Sequence, residues 1–250
     1  MAARLARDLT RTGCPTAILS LDDFYLRRSE RIVLARDVHP LLMTRGVPGT
    51  HEVGLALRSL AGLLAPRDGV PTIVPVFDKA CDDRAPESEW LHVGGPIHVV
   101  ILEGWCVGAR PQLARELVQP VNELEREEDP DGRWRRYVND QLSGSYSELF
   151  ARLDLCVLLR APSFEIIQDW RAEQEAGLQR SRRGSLPPMD PNALHRFISH
   201  YERLTRWMRR DEPADVVVDL NAKRIPLGCR VGSAASRSNR PLSQETGRVY

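Results

Sequence analysis

A chain of 250 residues with 42% hydrophobic content can bury a sizeable core, which excludes general disorder and points to one large domain or a domain with an insertion. A formal net charge of +1 gives no reason to expect nucleic acid or an acidic partner. Five scattered cysteines without C-x-x-C spacing (Cys14, Cys81, Cys106, Cys156, Cys229) favour reduced thiols in a cytoplasmic type of compartment over disulfides or zinc, and no apolar run nears the ~20 residues of a membrane span.

The Arg-rich start lacks serine and contains Asp8, so it reads as a helix rather than a transit peptide. Ala3 to Thr12 carries Leu5 and Leu9 at helical spacing, and Gly13 lies just past its end. The apolar run Thr16 to Leu21 predicts a strand buried on both faces of a parallel sheet, and it ends in Asp22-Asp23-Phe24-Tyr25. Ser29 is a cap for a helix to about Asp37. His39 to His51 is too rich in Pro and Gly to be regular, and Thr50 is a cap for a leucine-rich helix to Ala65. Pro71 to Phe77 is strand-like and ends in Asp78-Lys79. Ile97 to Leu102 is a second apolar strand, ending in Glu103-Gly104-Trp105.

In the second half, Asp131 caps a segment whose Trp134, Tyr137, Val138, Gln141, Leu142, Leu149 and Phe150 share one face. Asp154 to Arg160 predicts a third buried strand. Ser163 opens a helix to about Arg180, and Asp190-Pro191 starts another with an apolar stripe from Leu194 to Met208. Ala214 to Leu220 is a final strand, and from Arg230 the aperiodic composition predicts a frayed tail. The tryptophans Trp105, Trp134, Trp170 and Trp207 read as core, and the six histidines show no metal pattern.

Alternating strands and helices imply a parallel sheet with right-handed crossovers, whose ligands gather at the carboxyl ends of the strands. Acids at two such ends suit a metal and general-base pair for phosphoryl transfer. Taken alone, Asp22-Asp23 is more simply a polar strand-to-loop turn, and Glu103 a solvated strand end. The Gly-Lys of a phosphate loop is missing from these residues, since the only lysines follow Asp78 and Ala222.

Seven strings in order, SLDDFYL, HPLLMTRGVPGTH, FDKACDDR, VVILEGWCVG, WRRYVNDQL, WRAEQE and RFISHYERLTR, resemble the D-glycerate 3-kinase-like branch of the phosphoribulokinase/uridine kinase family. The resemblance implies an α/β fold of the three-layer P-loop NTPase type with a mostly parallel sheet. Ala2 to Leu9 resembles the helix after the phosphate loop, so the first, central strand and the loop itself are expected before Met1, as in a truncated record. Two strand edges would then face a gap of roughly 9–10 Å, and each buried unpaired backbone group would cost about 1–3 kcal/mol. The chain alone is accordingly expected to be poorly active and poorly folded. The implied organisation is a kinase-like domain over 1–228, with an acceptor-side insertion at about 38–95 and a lid at about 163–189, and a disordered tail over 229–250.

The resemblance also assigns roles. Asp22 is the general base on the acceptor hydroxyl, and Glu103 holds Mg2+ directly or through water. Arg171 and Arg180, with the arginines to Arg183, sit where the family places a lid over the ATP phosphates, Arg171 with a catalytic part. Asp23, Tyr25, Arg45, His51, Lys79 and Arg84 are the acceptor-side groups, the cations among them suiting the carboxylate of a small anion. The implied activity is ATP- and Mg2+-dependent phosphorylation of D-glycerate to a phosphoglycerate, with no nucleic acid or membrane involved. The alternatives are another small acceptor (a nucleoside, pantothenate or a sugar) or a non-catalytic nucleotide-binding protein of the same fold.

Overall fold

Helix α1 (Ala2–Arg11) opens the chain, and Gly13 follows it with φ +92°, which glycine adopts at little cost. The protein is seen in a computed structural model that describes residues 1–65, 69–181 and 190–233. Strand β1 (Thr16–Ser20) runs into a 3-10 turn, Leu21–Phe24, that carries both aspartates. Helices α2 (Arg28–Asp37) and α3 (Val53–Leu64) flank the Pro/Gly loop, which is less irregular than expected: Pro40–Met43 forms a further 3-10 turn. The expected caps are displaced. Ser29 lies inside α2, whose start is closed by the Arg27 amide donating to Glu30 at 2.6 Å. The Thr50 hydroxyl donates to the Val47 carbonyl at 2.7 Å and accepts from the Gly46 amide at 3.0 Å, so it ties the loop together and leaves α3 uncapped by its side chain.

The stretch read as one strand from Pro71 is divided at Pro75, which has no amide to donate. Its parts, β2 (Thr72–Val74) and β3 (Phe77–Asp78), pair antiparallel with β5 (Leu91–Val93) and β4 (Asp83–Arg84) respectively. Strand β6 (Val99–Glu103) then pairs parallel with β1, from Thr16 opposite Val99 to Ser20 opposite Glu103.

Helices α4 (Glu123–Glu128), α5 (Arg133–Ser143) and α6 (Ser145–Phe150) follow, the expected single face being split at Gly144. The carboxylate at the start of α5 is mainly Asp129 rather than Asp131, accepting from the Trp134 and Arg135 amides at 2.7 and 3.2 Å. Strand β7 (Val157–Arg160), helix α7 (Glu165–Ser181), helix α8 (Pro191–Asp211) and strands β8 (Val216–Leu220) and β9 (Pro226–Val231) complete the described chain. Asp190 caps α8 as expected, accepting from the Asn192 and Ala193 amides at 2.9 Å. β9 enters the region read as tail and pairs antiparallel with β8, because its residues find open ladder positions there. The remainder of that region, 234–250, lies outside the described residues.

β7 and β8 are parallel, from Val157 opposite Val216 to Arg160 opposite Asp219. Among the described residues, then, the parallel pairs lie in two separate sheets, β1–β6 and β7–β8, the latter extended by the antiparallel β9. β1 was expected to be buried on both faces, yet Ile18 is 37% exposed between the buried Ala17 and Leu19, and β7 was expected to be buried. Instead Val157 and Leu159 are 48% and 42% exposed, while Leu158 between them packs on the core. A strand covered on one face alternates in this way, whereas one covered on both does not.

The main core gathers Leu19, Leu21 and Phe24 from β1 and its turn with Ala56, Leu60 and Leu63 of α3, Leu142 and Tyr146 of α5 and α6, and Leu204 and Met208 of α8. Burial of that apolar surface is what holds the aspartate-bearing turn in place. Trp134 is core as expected, but Trp170 lies near the surface, where its indole donates to the Ala222 carbonyl at 2.7 Å. Two pairs of charged groups are buried together. Arg203 of α8 forks onto Glu125 of α4 at 2.7 and 2.6 Å, and Arg135 of α5 meets Asp129 at 3.1 Å. Removing one partner of such a pair leaves a buried charge unmatched. Arg203→Met is therefore expected to lower unfolding free energy by about 3–5 kcal/mol in denaturant titrations, and adding Glu125→Gln should recover part of that loss.

Candidate active site

β1 and β6 run parallel, so their carboxyl ends, Ser20 and Glu103, lie side by side at one end of the ladder. The turn after β1 brings Asp22 to this end. Asp22 Oδ2 accepts from Lys79 Nζ at 2.7 Å, and its Oδ1 accepts from the Tyr25 hydroxyl at 2.8 Å. Burial works to raise the Asp22 carboxyl, but the hydrogen bond and charge of Lys79, with Tyr25 assisting, outweigh it and hold the group below its ordinary range. Asp23 behaves oppositely. Burial raises it, the nearby charges of Asp22 and Glu103 add to the rise, and its one amide bond, from Phe77 at 3.1 Å, only partly offsets this. Two adjacent carboxylates are thus driven apart, with Asp22 the more readily ionised. Such divergent environments are a mark of acid–base sites.

Of the residues expected on the acceptor side, Tyr25 and Lys79 touch Asp22, while the others brace the Pro/Gly loop and the β3–β4 hairpin. Arg45 pairs with Asp82 of the hairpin and lies over the Phe77 ring, 5.4 Å from its centroid. Lys79 sits at the hairpin's tip. Arg84 is placed differently. Its buried guanidinium donates to Glu52 at 2.8 Å and to the Tyr25 carbonyl at 2.9 Å, which makes it a brace for Tyr25. His51 requires a correction. Expected among the cations for an acceptor carboxylate, it is buried and pushed down to about 3, so it stays neutral. Its ring stacks on Tyr25 with centroids 4.5 Å apart, and Nδ1 lies 2.6 Å from the Tyr146 hydroxyl. His51 backs Tyr25, and Tyr25 orients Asp22.

Several residues of this wall were not foreseen. Tyr146 accepts from the Gly49 amide at 2.9 Å, and Tyr201 donates to the Arg45 carbonyl at 3.1 Å. Gly46 has φ +132°, and a Cβ there would strike the Tyr201 hydroxyl, so α8 meets the loop through a bare backbone. The glycine content of the loop was the available signal, but it names no partner.

Arg171 of α7 stands over the Phe197 ring at 5.5 Å, and its charge works to lower the Tyr201 hydroxyl, whose net shift is upward through burial. The side chain of Arg180 and the residues 182–189, with Arg182 and Arg183, lie outside the described residues. Glu103 is exposed at the end of β6. No three His, Cys, Asp or Glu side chains cluster as a closed metal cage among the described residues, and none of their helices is long and apolar enough to cross a membrane.

No protein-family model matches the chain. It is 31% identical over 209 residues to the uncharacterized kinase mug58 of Schizosaccharomyces pombe, a match covering 80% of this chain and 73% of the relative. It is 26% identical over 227 residues to the chloroplastic D-glycerate 3-kinase of Arabidopsis thaliana, covering 85% of this chain but 47% of that protein. Among solved structures, the D-glycerate 3-kinase of Cryptococcus neoformans superposes with a TM-score of 0.74 at 27% identity, covering 92% of this chain and 84% of the other.

The neutral burial of His51 has a pH consequence. Unfolded, His51 titrates near 6.5; folded, it titrates near 3. Between those values the unfolded chain holds the extra proton, so stability is full above the window and falls as pH drops through it, by up to about 1.4 kcal/mol per pH unit. His200, pushed down to about 4 by burial, adds a second contribution of the same sign. Denaturation midpoints measured from pH 7 to pH 4 are expected to fall, and the fall should be shallower in His51→Gln.

Proposed function

The chain belongs to the D-glycerate 3-kinase-like branch of the P-loop kinases, and from that membership we propose that it carries the acceptor side of an ATP-dependent phosphorylation of D-glycerate. The observation that carries the reading is Asp22. It is a carboxylate kept ionised by Lys79, oriented by Tyr25, and set at the carboxyl end of a parallel strand. In this reading Asp22 takes the proton of the acceptor hydroxyl as its oxygen bonds to the γ-phosphorus and ADP leaves with the former bridging oxygen. Lys79 and Arg45 meet the acceptor's carboxylate, and Asp23 and Tyr25 shape the hydroxyl end. A small hydroxy acid offers one carboxylate to both cations, which also hold Asp22 and Asp82 of the protein. A neutral polyol offers them no charge.

Magnesium fits the donors available. Glu103 is an exposed oxygen ligand beside Ser20 across the ladder. A hard cation that keeps most of its shell as water and phosphate needs no closed protein cage. Glu103 would hold it, and the ion would supply neutralisation of charge on the phosphates. Arg171 would add a cation for the phosphates of ATP.

The test is phosphorylation measured on the protein purified from its natural host, with D-glycerate, glycerol, uridine, pantothenate and a hexose as acceptors. D-Glycerate is expected to give the highest kcat/KM, and turnover of another member of the panel in its place would overturn the acceptor assignment. Asp22→Asn is expected to lower kcat by about 10²–10⁴-fold with a far smaller change in KM. In Lys79→Met the lowering influence on Asp22 is lost while its burial remains. The acidic limb of the kcat/KM profile is therefore expected to move to higher pH, and an unmoved limb would separate Asp22 from the base role.

A further inference from the structure

Behind the acceptor-side loop, between α5 and α8, lies a cavity of about 20 Å³ whose wall includes Val47, Trp134, Val138, Leu142, His200 and Leu204. This volume suits a single water molecule and nothing larger. Most polar groups on the wall are committed elsewhere. Arg135 bonds to Asp129 and to the Leu117 and Val118 carbonyls. Arg203 bonds to Glu125 and to the Glu116 and Gln119 carbonyls. Asn139 exchanges hydrogen bonds with the Gln112 backbone at 2.6 and 3.1 Å. Two buried atoms are left unpartnered: Nε1 of Trp134 and Nε2 of His200, on side chains each 2% exposed.

Their hydrogen-bonding characters are opposite. The indole Nε1–H can only donate. His200 Nδ1 lies 2.9 Å from the Arg196 carbonyl, which can only accept, so Nδ1 carries the proton. Burial keeps the ring neutral, and Nε2 is then an acceptor. The two rings meet edge to face with centroids 5.8 Å apart, and both line the same cavity. A ligand that satisfies both must accept one hydrogen bond and donate another through a single heavy atom.

We propose that this cavity is a binding site for one internal water, which accepts from Trp134 Nε1–H and donates to His200 Nε2 and so bridges α5 to α8. The same two helices hold the acceptor-side loop, α5 through Tyr137, which closely approaches Gly49, and α8 through Tyr201, which is bonded to the Arg45 carbonyl. The bridge therefore sets the spacing of the two helices on which the loop rests. This inference does not depend on the kinase reading.

Solution NMR on the 250-residue chain tests it. A water-selected NOE to the Trp134 indole proton is expected, together with a His200 ring that is the Nδ1–H tautomer by its two ¹⁵N shifts at neutral pH. In Val138→Ile, which adds a methylene to the wall, the water NOE should disappear while the rest of the spectrum keeps its folded dispersion. Either no water NOE in the wild-type protein, or a direct hydrogen-bond coupling between the Trp134 and His200 nitrogens, would overturn the site. A water NOE that persists unchanged in Val138→Ile would place the water elsewhere and overturn it equally.

Discussion

The arrangement around Asp22 depends on one buried guanidinium. Arg31 is 1% exposed, and every one of its nitrogens is engaged. Nε donates to the Leu26 carbonyl at 3.3 Å, Nη1 to the Met43 carbonyl at 2.7 Å, and Nη2 to the Asp82 carbonyl at 2.6 Å, with the Asp82 carboxylate at 3.0 Å. A buried cation without such partners would be costly, so the three segments that supply them must close around it together. Those segments are the turn leaving Asp22, the Pro/Gly loop with Arg45, and the hairpin with Lys79. Asp82 joins the arrangement from the other side, since it also binds Arg45. Of the side chains at the site only Lys79 is well exposed, Asp22 and Arg45 being half-buried and Tyr25 buried, and the scaffold that aims them is fixed by a charge in the interior.

Around that scaffold the ionisation states follow from burial and proximity. Asp22 and Asp23 are neighbours in sequence, yet the first is hydrogen-bonded by an ammonium and a phenol, while the second feels Lys79 only at a distance and is raised by burial and by Asp22 and Glu103. His51, which unperturbed would titrate close to neutrality, is kept uncharged by burial and used for its stacking face and one hydrogen bond.

Much of the local structure was legible in the residues. The periodicity of α1 and α8, the Asp190-Pro191 start and the apolar runs ending in Asp22 and Glu103 appear where they were expected. The errors share a cause. Ser29, Thr50 and Asp131 are good capping residues by type, but Thr50 bonds within its loop and Asp129 captures most of the amides expected for Asp131. A hydroxyl or carboxylate serves whichever amide the surrounding packing brings near, and sequence proximity alone does not determine that. β9 was missed because an edge strand with every residue exposed carries no alternating pattern to detect.

The residues by themselves determined the short-range features, which depend on sterics and hydrogen bonds within a few positions. These are the strands, most of the helices, the aspartate turn, and the ordered strings that carry the family resemblance. Only the tertiary structure decided which groups meet. Lys79 is 57 positions from Asp22, Arg31 is 51 from Asp82, and Tyr201 is 156 from Arg45. Their pairing follows from how the core closes the chain, because a side chain's type specifies what it can bond while packing specifies what comes within reach.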